Sequence, residues 1–378
     1  MKEKMSRALA YEPRYALNAI CPYFTMFPLE YPMRVLQKHK KSSPIVMDPF
    51  CGRGTTLFAA RALGLVSRGL DTSPVAVAIA QAKLCNVQSE AALALAQAYI
   101  KANDSVAVPQ TEFFKHAFSA QVLKAICAIR QGLLTTKRES DEVILLRAAM
   151  LGCLHGPTSK RQENQSYFSN QMPRTFASKP DYSVRYWNEK NLKAPNSNVV
   201  DVLWRKLQRL SIAPGPVKSS PSHASLGDSR RAASLPASSR DFSVVVTSPP
   251  YYGMRTYVED QWLRNWFLGG PERIEYGNPE QLEHAGKDVF AKSLGLVWKN
   301  MARTEADSLD MYIRFGIIPS AKVDAKALML DSLEESRVGW KLVHTREAET
   351  AASGKRQANH MTTGSTAALE YDFHVRRK

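Results

Sequence analysis

"SSPIVMDPFCGRGTTLFAARALGLVSRGLDTSPVAVAIAQAKL" (residues 42–84) decides the fold class. "IVMD" is a short apolar run that stops at Pro49, so it reads as a buried strand. "CGRGTT" follows as a turn, because two glycines in three residues supply backbone freedom that side chains deny. "TLFAARALG" has helical composition and closes on Gly64, a residue suited to the left-handed cap of a helix. "VSRGLD" is a second strand. "SPVAVAIAQAKL" is a second helix, with Ser73 as N-cap and Pro74 in the first turn. Strand, helix, strand, helix at this spacing is a βαβα unit, which predicts a parallel sheet covered by helices.

Outward from this unit the chain changes character. "SEAALALAQAYIKAND", "SAQVLKAICAIRQGL" and "SDEVILLRAAMLGCLHG" predict three helices within 89–156. Residues 154–210 are polar, basic and aromatic. "APGPVKSSPSHASLGDSRRAASLPASSR" is rich in Pro, Ser and Gly and reads as a linker or exposed loops. The sheet resumes at "SVVVTSPPYY" (243–252), an apolar β-branched run ended by two prolines that cannot donate to a ladder. Helical segments are expected around 256–268 and 285–303. "MYIRFGIIP" is a strand, and "SAKVDAKALMLDSLEESR" an amphipathic helix. "VGWKLVHTREAE" and "AALEYDFHVRRK" are two more strands that form an edge hairpin. The expected division is 1–88 and 216–378 as the two parts of one α/β domain. Residues 89–215 form a largely helical, basic insertion between them.

The formal net charge is +16 over 378 residues. A field of that sign favours a polyanionic partner. The five cysteines, 21, 51, 85, 127 and 153, are scattered without metal-ligand spacing, so reduced thiols, a cytoplasmic location and no metal are expected. No apolar run approaches the roughly 20 residues of a membrane span, and the N-terminal stretch lacks a signal-peptide core.

"DPFCGRGTT" (48–56) opens a helix after a strand, where backbone N–H groups approach an anionic ligand. It has no lysine for a phosphate-binding P-loop, and it lacks the third glycine of a dinucleotide loop. Asp71 ends the next strand, where a carboxylate can accept from ribose hydroxyls. Together with "GDSR" (227–230) and "TSPPY" (247–251), this ordered set resembles the S-adenosylmethionine-dependent amino-methyltransferases of DNA. It is most similar to the cytosine-N4 branch, over roughly residues 20–88 and 223–378.

The resemblance implies a Rossmann-like class I methyltransferase sheet, mostly parallel with an antiparallel edge hairpin. It implies S-adenosylmethionine as cofactor, double-stranded DNA as substrate and cytosine N4 as the atom methylated on a flipped base. Ser248, Pro249, Pro250 and Tyr251 become the catalytic corner. The Ser248 hydroxyl and the Pro249 carbonyl accept from the amino hydrogens, and Tyr251 stacks on the base. Asp48, Phe50, Cys51, Gly52, Gly54, Thr55, Asp71 and Asp228 become cofactor residues, with Asp228 at the adenine. Asp48 either meets the cofactor's methionine end or caps the glycine loop. Phe27 and Pro28, in "PYFTMFPLEYP", resemble the segment that closes over the methionine end; simple packing is the other reading.

Nucleic-acid contacts are expected at Arg174 and Arg185 in the basic aromatic stretch, at Arg255 and Tyr257 after the corner, and at Lys355 and Arg356 in the hairpin loop. For the stretch 160–190 the competing reading is a small aromatic core of its own; Trp262 and Trp266, at helical spacing, read as core. Adenine-N6 methylation of DNA, guanine-N2 methylation of RNA (tRNA) and an inactive nucleic-acid-binding protein are the alternatives. A cognate restriction endonuclease is a possible partner. The chain's own PD and EK dipeptides do not have nuclease spacing.

Overall fold

A computed structural model describes residues 12–22, 28–159, 165–172, 179–210, 222–253, 261–274, 286–317, 321–348 and 370–377. In chain order the helices are α1 (Glu30–His39), α2 (Thr55–Ala62), α3 (Pro74–Ala82), α4 (Ser89–Ala102), α5 (Glu112–Ala117), α6 (Ala120–Thr135) and α7 (Asp141–Cys153). They continue as α8 (Pro180–Glu189), α9 (Val199–Gln208), α10 (Trp262–Phe267), α11 (Lys287–Met301) and α12 (Ala325–Glu335). The strands are β1 (Val46–Asp48), β2 (Ser67–Asp71), β3 (His223–Leu226), β4 (Val244–Thr247), β5 (Leu309–Gly316), β6 (Lys341–Glu347) and β7 (Glu370–Arg377). No helix among the described residues is long and apolar enough to cross a membrane.

The chain divides into two compact units. One holds Met1–Tyr23, Gln81–Pro214 and Thr256–Gly277; the other holds Phe24–Ala80, Gly215–Arg255 and Asn278–Lys378.

The second unit carries the sheet, in the order β3-β2-β1-β4-β5-β7-β6. Its first five strands run parallel, and β7 and β6 add antiparallel at one edge. This is the Rossmann-like sheet expected from the sequence, edge hairpin included. The central parallel strands β1 and β4 are buried along their whole length, as strands covered on both faces are. On one face, Met47, Val245, Met311, Ile313, Phe315 and Phe373 pack against Phe290, Leu294 and Trp298 of α11 and Leu328 and Met329 of α12. The chain order reverses between β1 and β4, so the carboxyl ends of these strands form a switch-point crevice, the usual ligand position in such sheets.

The opposite face of β5, β7 and β6 is polar. Arg314, 1% exposed, makes a two-pronged ion pair with Asp372, Nε to Oδ1 at 2.7 Å and an Nη to Oδ2 at 3.0 Å. The same guanidinium lies 4.1 Å over the Tyr31 ring of α1. His39, also on α1, shares a 2.9 Å hydrogen bond with the Tyr312 hydroxyl, and Tyr312 stacks on His374. Thus α1 docks through paired polar groups on a face where the alternation of β5 places Asp310, Tyr312 and Arg314.

The first unit is helical. Phe113, Phe114, Trp187, Trp262 and Trp266 form one aromatic cluster. Trp262 and Trp266 are therefore core, as their spacing indicates. Trp187 and Phe168 are buried as well, while Tyr182 is exposed. The basic aromatic stretch is in that respect partly a core of its own. The five cysteines are buried, and none is in a disulfide.

The sequence reading missed four helices, α1, α5, α8 and α9. The Pro/Ser-rich stretch read as linker or loops contains β3 and the buried Asp228 and Leu235.

Candidate active site

The loop between β1 and α2 is held by three local features. Gly52 and Gly54 have φ of +49° and +76°, the left-handed region that only glycine enters without cost. The Gly54 N–H donates to the Cys51 carbonyl at 2.7 Å, closing the turn. The Asp71 carboxylate accepts from Gly52 N–H and from Ser73 N–H, both at 2.9 Å, so the end of β2 fixes the loop. Burial raises the Asp71 carboxyl above its ordinary value, against the pull of these N–H donors.

Gly54 also sits against α3. A Cβ there would lie 2.8 Å from the Ala80 Cβ and 2.9 Å from its Cα. Gly54→Ala combines that clash with an unfavourable φ, which alone costs roughly 1–2 kcal/mol. The expected outcome is a lower melting temperature, whereas Gly52→Ala, whose Cβ meets nothing closer than 4.0 Å, loses only the conformational part. Equal melting temperatures for the two variants would refute this account of the loop.

Asp48 is the junction of the site. It ends β1, is 1% exposed, and its Oδ1 accepts from Phe50 N–H at 3.1 Å and from the Thr247 hydroxyl at 2.7 Å. Thr247 ends β4, beside β1 in the parallel sheet, and precedes Ser248 directly. One hydrogen bond therefore joins the glycine loop to the S-P-P-Y corner across 199 residues of sequence. The Asp48 Oδ2 is buried and has no hydrogen-bond partner among the described residues. Burial pushes the carboxyl up to about 6, against the Thr247, Thr56 and Phe50 groups that favour its charge. A second carboxylate, Asp71, adds to the rise.

The remaining cofactor candidates gather around this junction. Cys51 and Thr55 are buried, and Phe50 is half-buried with its ring edge-on to Trp298. β3 pairs with β2 so that Asp71 lies opposite Leu226, and Gly227 N–H donates to the Asp71 carbonyl at 2.9 Å. That brings Asp228 to the neighbouring strand end. Its carboxylate is engaged by Arg230, whose Nε lies 3.0 Å from both oxygens and an Nη 2.8 Å from Oδ2. Burial raises the Asp228 carboxyl, and the Arg230 hydrogen bonds and charge outweigh it, leaving it below its ordinary value. Pro28 is half-buried just before α1, and its carbonyl accepts from Tyr31 N–H.

In the corner itself, Ser248 and Pro250 are half-buried and Pro249 is buried. The Tyr251 hydroxyl donates to Glu370 Oε1 at 2.5 Å, and its ring stands edge-on to Phe315. Tyr252 forms an isolated parallel bridge with Ile317 and packs on Phe290. The corner is thus braced by the ends of β5 and β7.

Arg185 is exposed on α8 in the helical unit. Phe27, Arg174, Arg255, Tyr257, Lys355 and Arg356 lie outside the described residues. Sequence reasoning passed over Thr247, Arg230 and Glu370. Arg230 was readable in "GDSR", two residues from the aspartate it holds. Thr247 and Glu370 carry no local signal, because their partners are distant in sequence.

A family model described as DNA methylase matches residues 4–82, the segment that holds β1, the glycine loop and β2. No curated protein matches the chain. Among solved structures, an rRNA methyltransferase, aviRa, from Streptomyces viridochromogenes is similar in two determinations. One, at 1.5 Å, is 13% identical with a TM-score of 0.34 and covers 94% of this chain and 87% of its own. The other, at 2.4 Å, is 12% identical with a TM-score of 0.36 and covers 97% and 93%.

Proposed function

We propose that this chain is an S-adenosylmethionine-dependent methyltransferase acting on the exocyclic N4 amino group of cytosine in double-stranded DNA. The observation that carries the reading is the Thr247–Asp48 hydrogen bond, which sets the glycine loop and the S-P-P-Y corner at adjacent strand ends. The match of residues 4–82 to the DNA methylase model supports the same class.

The residues present fit the cofactor. Asp48 offers a buried carboxylate oxygen that lacks a partner among the described residues, suited to a cationic group. Asp71 has spare acceptor capacity for ribose hydroxyls, since each of its oxygens takes one backbone N–H. S-adenosylmethionine, when bound, supplies an electrophilic methyl group.

The chain's own part is positioning and charge. An exocyclic amino nitrogen is a poor nucleophile, because its lone pair is delocalised into the base ring. The Ser248 Oγ and the Pro249 carbonyl would accept from the two amino hydrogens, keeping electron density on nitrogen as the new bond forms. Tyr251, braced through Glu370, would offer its ring to the base once it leaves the duplex stack. Ser248 at the head of the corner favours cytosine-N4 over adenine-N6, by resemblance to the two branches.

The test is mass spectrometry of nucleosides from a host without DNA methylation that expresses the chain. 4-Methylcytosine in its DNA is the expected mark. 6-Methyladenine instead would move the target to adenine, and a methylated guanine confined to RNA would overturn the DNA reading.

A further inference from the structure

The polar face of the edge hairpin continues past the buried pairs that hold α1. Register places three rungs across β5, β7 and β6 on this face. They are Asp310, Arg376 and Lys341; Tyr312, His374 and His344; and Arg314, Asp372 and Arg346. The inner members satisfy one another: Arg314 takes both Asp372 oxygens, and Asp310 accepts from His374 and Arg376. The outer members, Lys341, His344 and Arg346 of β6, are exposed, and Lys341 and Arg346 are cationic; Arg376 of β7 is exposed as well. α1 adds Arg34 and Lys38, four residues apart on one helix face and both exposed.

The charge on this face is unbalanced. Arg34, Arg314, Arg346, Arg376, Lys38 and Lys341 stand against Asp310, Asp372, Glu370 and, four residues before Arg34 on α1, Glu30. Glu370 is already taken by Tyr251. Three guanidiniums gather on Asp372 alone. Arg314 is buried in a two-pronged pair, while Arg346 at 3.1 Å and Arg34 at 3.7 Å share the single oxygen Oδ2. The side chains of Arg346 and Arg34 are 45% and 47% exposed, so both are held on Asp372 while remaining partly exposed to solvent. Holding them reduces the side-chain entropy that a contact would otherwise cost. Asp372 lies two residues from Glu370, roughly 7 Å along the strand from the Tyr251 hydroxyl contact. The basic face therefore begins one rung from the catalytic corner and runs away from it along β6 to Lys341.

We propose that this face, the outer side of the edge hairpin together with α1, seats the sugar-phosphate backbone of the DNA duplex whose base enters the corner. Arg346, Arg34 and Lys341 are the phosphate contacts. The proposal rests on the methyltransferase reading for its substrate, and it places part of the DNA-binding surface on the sheet unit rather than on the helical one. Arg346 lies five positions after Lys341 on β6, roughly 15 Å away. Duplex DNA presents a charge about every 1.7 Å of axis, so the face spans several phosphates.

The test is fluorescence anisotropy of a labelled DNA duplex over a salt series, without cofactor and without turnover. It compares the wild-type chain, Lys341→Gln/Arg346→Gln, and Lys292→Gln/Lys299→Gln. The last removes the same charge from exposed positions of α11, the helix that packs on the opposite face of the sheet. Each lost phosphate contact lowers the slope of log affinity against log salt by about 1. The β6 variant should lose about two units of slope, and the α11 control almost none. Arg34→Gln, a single change on the other element, should lose about one.

Equal slopes for wild type and β6 variant, an equal loss in the control, or no binding of duplex by wild type would each overturn the proposal. Nucleoside analysis is read separately. 4-Methylcytosine with an unchanged salt slope refutes the surface alone. A slope change without any methylated base refutes the reaction alone.

Discussion

Ser248→Ala should lower kcat by about 10²–10³-fold while leaving the affinity for S-adenosylmethionine nearly unchanged; that range is the usual loss when one preorganised hydrogen-bonding group is removed from a site of developing charge. The structure makes the substitution a clean one. Ser248 follows Thr247, whose hydroxyl is fixed on Asp48, and precedes Pro249, so the main chain is restrained on both sides of the altered residue. Alanine removes one hydroxyl oxygen and leaves the Asp48–Thr247 link, the glycine loop and the Asp71 contacts in place. Single-turnover kinetics with saturating cofactor would measure the loss, and equilibrium dialysis or a thermal shift with S-adenosylmethionine would measure the binding. If cofactor affinity falls in step with turnover, Ser248 belongs to the cofactor side and the assignment of acceptor roles in the corner is wrong. If turnover is unchanged, the Pro249 carbonyl would have to do the work alone.

How much of this was legible in the sequence follows from the range of the interactions. β1, β4 and β5 are strands of a parallel sheet, covered on at least one face by apolar packing, and their Val, Ile, Leu and Met residues announce them. β3 does not announce itself. "HASL" has one buried residue, Ala224, and an exposed Leu226, and it sits among serines and prolines. It is a strand because β2 offers it a ladder, which is a tertiary fact. α9 was legible in principle. Val199, Val202, Leu203 and Leu207 lie on one helical face behind Asn198, whose side chain caps the backbone N–H groups of Val200 and Asp201. The basic, aromatic composition around it drew the reading toward a binding surface instead.

The candidate site divides in the same way. The glycine loop, Asp71 and the corner are contiguous motifs, and each was found by its local pattern. The bonds that make them one site, Thr247 to Asp48 and Tyr251 to Glu370, join segments far apart in the chain. The polar rungs are a third case. The alternation in "LDMYIRFG" marks a two-faced strand, but only the antiparallel register of β7 shows that Arg314 meets Asp372 and that Arg346 stands beside them. A single arginine in a strand says little, whereas its partner and its depth separate a buried pair from a phosphate contact.

Asp48→Asn should make the cofactor-free protein more stable at neutral pH while weakening its grip on S-adenosylmethionine. Asparagine can keep both bonds that Oδ1 accepts, from Phe50 N–H and Thr247, and it replaces the partnerless Oδ2 by a neutral NH2. It is in effect a copy of the protonated acid. Burial lifts the wild-type carboxyl from 3.8 to about 6, so between those values the folded chain holds a proton that the unfolded chain has released. The sign follows: a raised carboxyl contributes stability below about pH 4, and that contribution is lost as pH rises through 6. A rise of that size corresponds to roughly 2–3 kcal/mol.

The variant escapes this loss. Its melting temperature should match wild type near pH 4 and exceed it by a few degrees above pH 7, with the gap opening between the two. A variant less stable than wild type at pH 7.5, or a gap that does not change with pH, would refute the argument. The cofactor provides the second reading of the same atom. Saturating ligand at 100 times its dissociation constant stabilises a protein by about 2.7 kcal/mol, and the variant should lose much of that increment. Lower stability without cofactor and a larger gain with it would make Asp48 a contact of the cofactor's cationic end. A carboxylate that costs stability and gains nothing from S-adenosylmethionine would leave Asp48 as the cap of the glycine loop and nothing more.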